Sequence, residues 1–202
     1  MVPHKSRRFR AILDLSFRLR LESDAVVPSV NEETKKTARR AAVIQIGHAL
    51  ARIVHTLVEC APVDTVFLAK WDVKDGFWRE EGKEGEDWNC AYVLPQQEGA
   101  QPKLVVPSNL QMGWIESPPY FSEASETARD VAEWYSQTPV GSMPAHKFEN
   151  HCETSSKFTE LHASSNITRA WKFLMEVYVD NVVALVKART KNELQHVARA
   201  IM

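Results

Sequence analysis

Two acidic residues stand at the polar ends of apolar, β-forming runs far apart in the chain. Asp72 closes the run that opens with Val66, Phe67 and Leu68, and Asp180 follows the run that starts at Phe173. A third carboxylate, Asp75, follows Asp72 by one short step, and then come Gly76, Phe77 and Trp78. A carboxylate at the mouth of a buried strand must be paired, hydrogen-bonded or bound to a cation, because burying it alone is too costly. Taken singly, each stretch has a plain reading. Asp72 to Gly76 reads as a helix cap or a solvated acidic loop. Residues 173–186 read as a β-hairpin turning at Asp180 and Asn181, two residues that tolerate positive φ. Taken together they suit another chemistry. Two carboxylates at neighbouring strand ends can hold a pair of Mg²⁺ ions roughly 3.5–4 Å apart for phosphoryl transfer. Mg²⁺ takes oxygen ligands and bridges substrate phosphates, with Mn²⁺ as a substitute.

The elements that must position these residues follow from periodicity. Residues 9–15 read as a strand behind a basic arm, with a second short strand toward Leu21. A helix is expected over 37–60, with Ala42, Ile46, Ala49, Leu50, Ile53, Val54 and Leu57 forming its apolar face and Pro62 ending it. His48 and His55 lie on a neighbouring stripe with no acidic partner in view. The strand carrying Asp72 comes next. Residues 88–94 and 104–106 read as an antiparallel pair across a polar loop at 95–102. Ser117, Pro118 and Pro119 start a helix that reaches about residue 135. A polar stretch at about 136–165 precedes the hairpin. A last helix over 191–202 presents Leu194, Val197, Ala198 and Ile201 on one face.

Bulk properties narrow the classes. The chain has 202 residues, 44% of them apolar, enough for one substantial core or two closely joined subdomains. The net charge of −1 argues against a strongly basic nucleic-acid binder, yet residues 1–20 hold Lys5, Arg7, Arg8, Arg10, Arg18 and Arg20 against the single acid Asp14. A local basic patch of this kind suits phosphate whatever the overall charge. Cys60, Cys90 and Cys152 show no metal-ligand or disulfide spacing, which fits a reducing, intracellular setting, cytoplasmic or nuclear. His146, His151, Cys152 and His162 match no standard zinc pattern. No apolar stretch reaches membrane-spanning length, so no membrane partner is expected.

Four stretches, in order, carry a resemblance to a family. They are Val2 to Lys5 with Phe9 to Asp14; Asp72, Val73, Lys74, Asp75, Gly76 and Phe77; Leu110 to Phe121, which holds Met112, Gly113 and Trp114; and Tyr178, Val179, Asp180 and Asn181. The chain resembles the fingers–palm core of a retroelement reverse transcriptase over nearly its whole length. The resemblance implies an α+β fold, a polymerase fingers–palm core with an antiparallel palm sheet packed against helices and with the thumb absent. Residues 1–65, with part of 79–110, would be fingers-like, and 66–202 the palm-like catalytic core with the 136–165 insertion.

The resemblance also assigns roles. Asp72 and Asp180 would be catalytic metal ligands, with Val73 through its carbonyl and Asn181 as further ligands. Lys5 and Arg10 would contact the triphosphate of the incoming nucleotide. The backbone amides of Asp75 and Gly76 would cradle that triphosphate. Phe77 would crowd the sugar's 2′ position and select deoxynucleotides, with Met112 and Gly113 beside the sugar and base. Trp114, Ser117 and Tyr178 would lie toward primer and template. The implied partners are an RNA or DNA template with its primer and deoxynucleoside triphosphates. One departure stands out: the family usually has two adjacent aspartates at the hairpin, and here the second is Asn181. That change and the missing thumb leave a second expectation open, a truncated, inactive retroelement relic that at most binds nucleic acid.

Overall fold

The computed structural model describes residues 2–3, 9–10, 12–38, 40–60, 66–85, 87–96, 98–147, 172–188 and 190–202. In chain order the elements are β1 (Val2–Pro3), β2 (Phe9–Arg10), β3 (Leu19–Arg20), β4 (Val26–Val27), α1 (Val30–Glu33), α2 (Arg40–Val58), β5 (Val66–Asp72), β6 (Tyr92–Val93), β7 (Leu104–Val105), α3 (Ser117–Ser136), β8 (Lys172–Tyr178), β9 (Asn181–Lys187) and α4 (Lys191–Ile201). Single 3₁₀ turns occupy Gly76–Arg79 and Asp87–Cys90. Helices and antiparallel sheets together make an α+β protein. It divides into two compact units, Met1–Arg40 with Lys74–Glu123, and Ala41–Val73 with Ala124–Met202. Residues 41–60, grouped from sequence with the fingers-like part, therefore belong with the strand that carries Asp72.

The second unit is organised by one three-stranded antiparallel sheet in the order β5-β9-β8. Apolar and β-branched residues fill its central strand, which is why it is central: Val182, Ala184, Leu185 and Val186 are all buried. Cross-strand partners stack Phe67, Val186 and Phe173 in one row and Trp71, Val182 and Val177 in another. Ala132 of α3 packs with Met175, Val177 and Val182, while Val197 of α4 packs with Val186 and Ala188 beside Leu194 and Ile201. Thr190 caps α4 and Glu193 returns a bond to the Thr190 amide, so the helix start is fixed locally.

Several expectations change. The hairpin turns at Val179 and Asp180, not at Asp180 and Asn181, because Tyr178 pairs directly with Asn181. Cross-strand pairing of apolar residues set the register, and turn propensity gave way. The cost falls on Val179, a β-branched residue held at φ 57°. Such a backbone is strained by roughly 1–2 kcal/mol.

In α2, Ile46, Ala49 and Ile53 turn inward as expected, whereas Leu50, Val54 and Leu57 are 73%, 51% and 44% exposed. The helix is apolar around most of its circumference, so periodicity alone could not choose the buried stripe. Its His55 does have an acidic neighbour, Glu59, at 3.6 Å.

In the first unit the strand expected over 9–15 is only Phe9–Arg10. Asp14 accepts the Ser16 amide and Phe17 bonds back to the Asp14 carbonyl, so a local turn replaces the ladder there. Likewise residues 87–90 form a 3₁₀ turn before Tyr92–Val93 pairs with Leu104–Val105. Among the described residues, no helix is long and apolar enough to cross a membrane.

Candidate functional site

In the second unit the β5–β9 register sets Asp72 directly across from Asn181. The Val73 amide then donates to the Asp180 carbonyl at 2.8 Å. The two carboxylates predicted from sequence, Asp72 and Asp180, are therefore brought to the same end of one sheet. Asp72 is exposed and Asp180 half-buried. The Asn181 side-chain amide donates to Asp180 Oδ1 at 3.0 Å, which orients the carboxylate. Tyr178, paired across from Asn181, is 61% exposed. No group of three or more His, Cys, Asp or Glu capable of holding a metal occurs among the described residues. Two carboxylates and neutral oxygens are too few for an all-protein cage.

In the first unit, Asp75, Phe77, Trp78 and Met112 line one small apolar pocket. Three of these four are residues expected to bind nucleotide, and Met112 comes from a distant part of the chain. Asp75 adopts a left-handed backbone, φ 57°, at the head of the 3₁₀ turn, and Gly76 behind it is buried. The Arg79 guanidinium holds that turn through the Lys74 carbonyl at 2.8 Å. Phe77 packs edge-on against Phe121, with ring centroids 5.3 Å apart. Trp78, not singled out from sequence as a site residue, supplies a further aromatic wall.

Beside the pocket, Gly113 sits at φ +100°, and a Cβ built there would lie 2.2 Å from the Leu13 carbonyl oxygen. Glycine is required by both the backbone angle and the close approach. Gly113→Ala is expected to destabilise this unit by about 3 kcal/mol, combining left-handed strain with overpacking against rigid backbone. A fall in the urea midpoint with unchanged slope would register the loss, and a wild-type midpoint would count against this packing.

Two residues that sequence reasoning missed hold this turn in place. Asn31 joins it to residues 15 and 16. Glu116, completely buried, accepts the amides of Thr37 and Ala38 at 2.8 and 3.0 Å and the Arg40 guanidinium. Burial pushes the Glu116 carboxyl up, but the Ala38 amide, Arg40 and the Thr37 amide together overcome that and hold it below the usual range. Ser29 and Glu32 form a reciprocal cap on α1, and Arg18 grips Glu32, whose carboxyl is lowered to about 2, chiefly by Arg18.

The remaining expected residues are placed as follows. Lys5 lies outside the described residues, as do His151, Cys152 and His162. Arg10 ends β2. Arg18 and Arg20, counted from sequence in the basic patch, are committed to Glu32 and Asp24. Trp114 stacks on Tyr120 and donates its indole N–H to Thr34 at 3.0 Å. Ser117, expected toward primer and template, is buried, and its hydroxyl donates to the Gln111 carbonyl at 2.7 Å, which fastens the turn from within.

A separate charged group lies in the second unit. Glu176, 2% exposed, receives both arms of Arg52 at 2.5 Å. Glu126 and Glu133 of α3 have carboxyls raised by burial, which outweighs Arg129 beside each. Glu133 also takes a backbone hydrogen bond from Met175, on the β8 strand. These contacts bind helix to sheet and touch none of the residues above. No known family model matches the chain, and no curated protein matches it.

Proposed function

We propose that this chain is the fingers–palm core of a retroelement-type RNA-directed DNA polymerase. The observation that carries the reading is the register that brings Asp72 and Asp180 to one sheet end. The pocket that gathers Asp75, Phe77 and Met112 adds independent support. Asp72, Asp180 and the Val73 carbonyl would hold Mg²⁺, with Asn181 as a weaker oxygen donor. When bound, the metal pair supplies charge stabilisation for the attacking and leaving oxygens of an in-line displacement. Asp72 and Asp180 orient that centre through the rigid β5–β9 ladder. Arg10 grips the triphosphate in this reading, and Phe77 excludes a ribose 2′-hydroxyl.

Primer extension on poly(rA)–oligo(dT) with dTTP tests the function directly. Incorporation that vanishes on chelation of Mg²⁺ is expected. In the same assay Phe77→Ala should raise incorporation of the ribonucleotide relative to dTTP by about tenfold or more, because the aromatic edge that discriminates against the hydroxyl is gone. An unchanged ratio would remove Phe77 as the selector.

A second reading is favoured by one contact. The Asn181 amide engages Asp180 Oδ1, and a neutral residue stands where a second acid is expected. A relic that binds nucleic acid without chemistry would show no incorporation with Mg²⁺ or Mn²⁺, yet bind an RNA–DNA duplex with strong salt dependence.

A further inference from the structure

The Asn31 side chain is hydrogen-bonded both to Ser16, in the 13–16 segment, and to the Gly113 turn. Its Nδ2 donates to the Ser16 hydroxyl and to the Gly113 carbonyl, each at 2.9 Å. Its Oδ1 accepts the Ile115 amide at 2.9 Å, and its own backbone amide donates to the Leu15 carbonyl at 3.0 Å. One residue thus joins three stretches that are remote in sequence: residues 15 and 16, the short helix α1, and the turn at 113–115.

The side chain is itself held. Ser29 and Glu32 lock α1 through their reciprocal cap, and Arg18 fixes Glu32 from the 13–20 side. The Gly113 turn beneath is in direct backbone contact with Leu13. Met112, immediately before Gly113, is a wall of the pocket formed with Asp75, Phe77 and Trp78.

We infer that Asn31 is a positioning residue for nucleotide selection. Its amide sets the Met112 wall relative to Phe77 and ties that wall to residues 15 and 16. This inference rests on the polymerase reading above. Asn31 touches no substrate in it; the residue acts through Met112 and Gly113. An amide is needed at this position because both a donor and an acceptor are used at once. Aspartate of the same shape retains the acceptor for Ile115 but sets a negative oxygen against the Gly113 carbonyl.

The test uses the full chain in three forms: wild type, Asn31→Ala and Asn31→Asp. Steady-state extension on poly(rA)–oligo(dT) gives KM and kcat for dTTP, and hydrogen exchange follows the Ile115 amide. Both variants are expected to raise the dTTP KM about tenfold, with kcat changed less than about threefold, since misplacement of a binding wall weakens binding more than the chemical step. Ile115 exchange should quicken in Asn31→Ala and stay slow in Asn31→Asp, which separates loss of the acceptor from loss of the donors. Ser16→Ala removes one partner only and should fall between wild type and Asn31→Ala in KM. Wild-type extension with unchanged KM in both variants would overturn the positioning role and leave the polymerase reading standing. A wild type that neither extends primer nor binds dTTP would overturn both. Variants that lose KM and kcat together, with exchange quickened throughout the unit, would reduce Asn31 to a folding residue and overturn the inference.

Discussion

Asp180→Asn is expected to lower Mg²⁺-dependent extension by at least about 10³-fold, a loss of roughly 4 kcal/mol in transition-state stabilisation. The side chain keeps its shape, so the change isolates charge from packing. Asp180 is half-buried in a hairpin turn whose two strands pair with each other along their full length, and β9 also pairs with β5 on its other side. Thermal unfolding should therefore stay close to wild type. Asp72→Asn should show the same loss, and the double variant little more, because the two carboxylates act as one unit. Asn181→Asp runs the other way: a second acid beside Asp180 adds a charged ligand and should raise activity at low Mg²⁺. Full activity in Asp180→Asn would end the metal assignment.

Glu116→Ala is expected to destabilise the first unit by about 2–3 kcal/mol. The substitution strands the buried amide of Ala38 and the part-buried amide of Thr37, and it leaves the half-exposed Arg40 guanidinium without its carboxylate, and a buried donor robbed of its acceptor is costly. Glu116→Gln retains an acceptor for the amides and should lose about half as much. The pH dependence has a definite sign. The folded-state carboxyl is held below its ordinary value, so Glu116 stabilises the fold above about pH 4.3 and that contribution drains away as pH falls through the lowered folded value. Glu126 and Glu133 act oppositely: their carboxyls are raised, so protonation on acidification relieves a penalty in the second unit. Hydrogen exchange at Thr37 and Ala38 between pH 7 and pH 3 should show protection lost in wild type and a flatter profile in Glu116→Gln. A flat wild-type profile would count against the buried carboxylate.

The chemistry-bearing strands were legible because their residues are locally consistent. Val66 to Leu68 and the β-branched runs on either side of Asp180 want to be strands in any context, and the sheet makes them so. The pairing of Asp72 with the hairpin follows from those same runs. The turn was misplaced by one residue because Asp and Asn are good turn formers, yet the ladder prefers Tyr178 opposite Asn181 and forces Val179 into the bend. What sequence reading missed is non-local. Asn31 meets Gly113 across 82 positions, Arg40 meets Glu116 across 76, and Arg52 meets Glu176 across 124. No periodicity announces such a partner. The buried stripe of α2 was hidden for a different reason, since the apolar face of that helix is wider than the stripe it buries.

The antiparallel register carries a consequence for inheritance. The spacing of Asp72 and Asp180 is fixed by rows of apolar side chains, Phe67 with Val186 and Trp71 with Val182, rather than by any bond between the two acids. A slip of one position would turn each of those side chains to the opposite face of the sheet. On the proposed polymerase reading, drift among these greasy, chemically mute positions would thus misplace the two acids while both remained unchanged in identity. A lineage could fall silent with its signature letters intact.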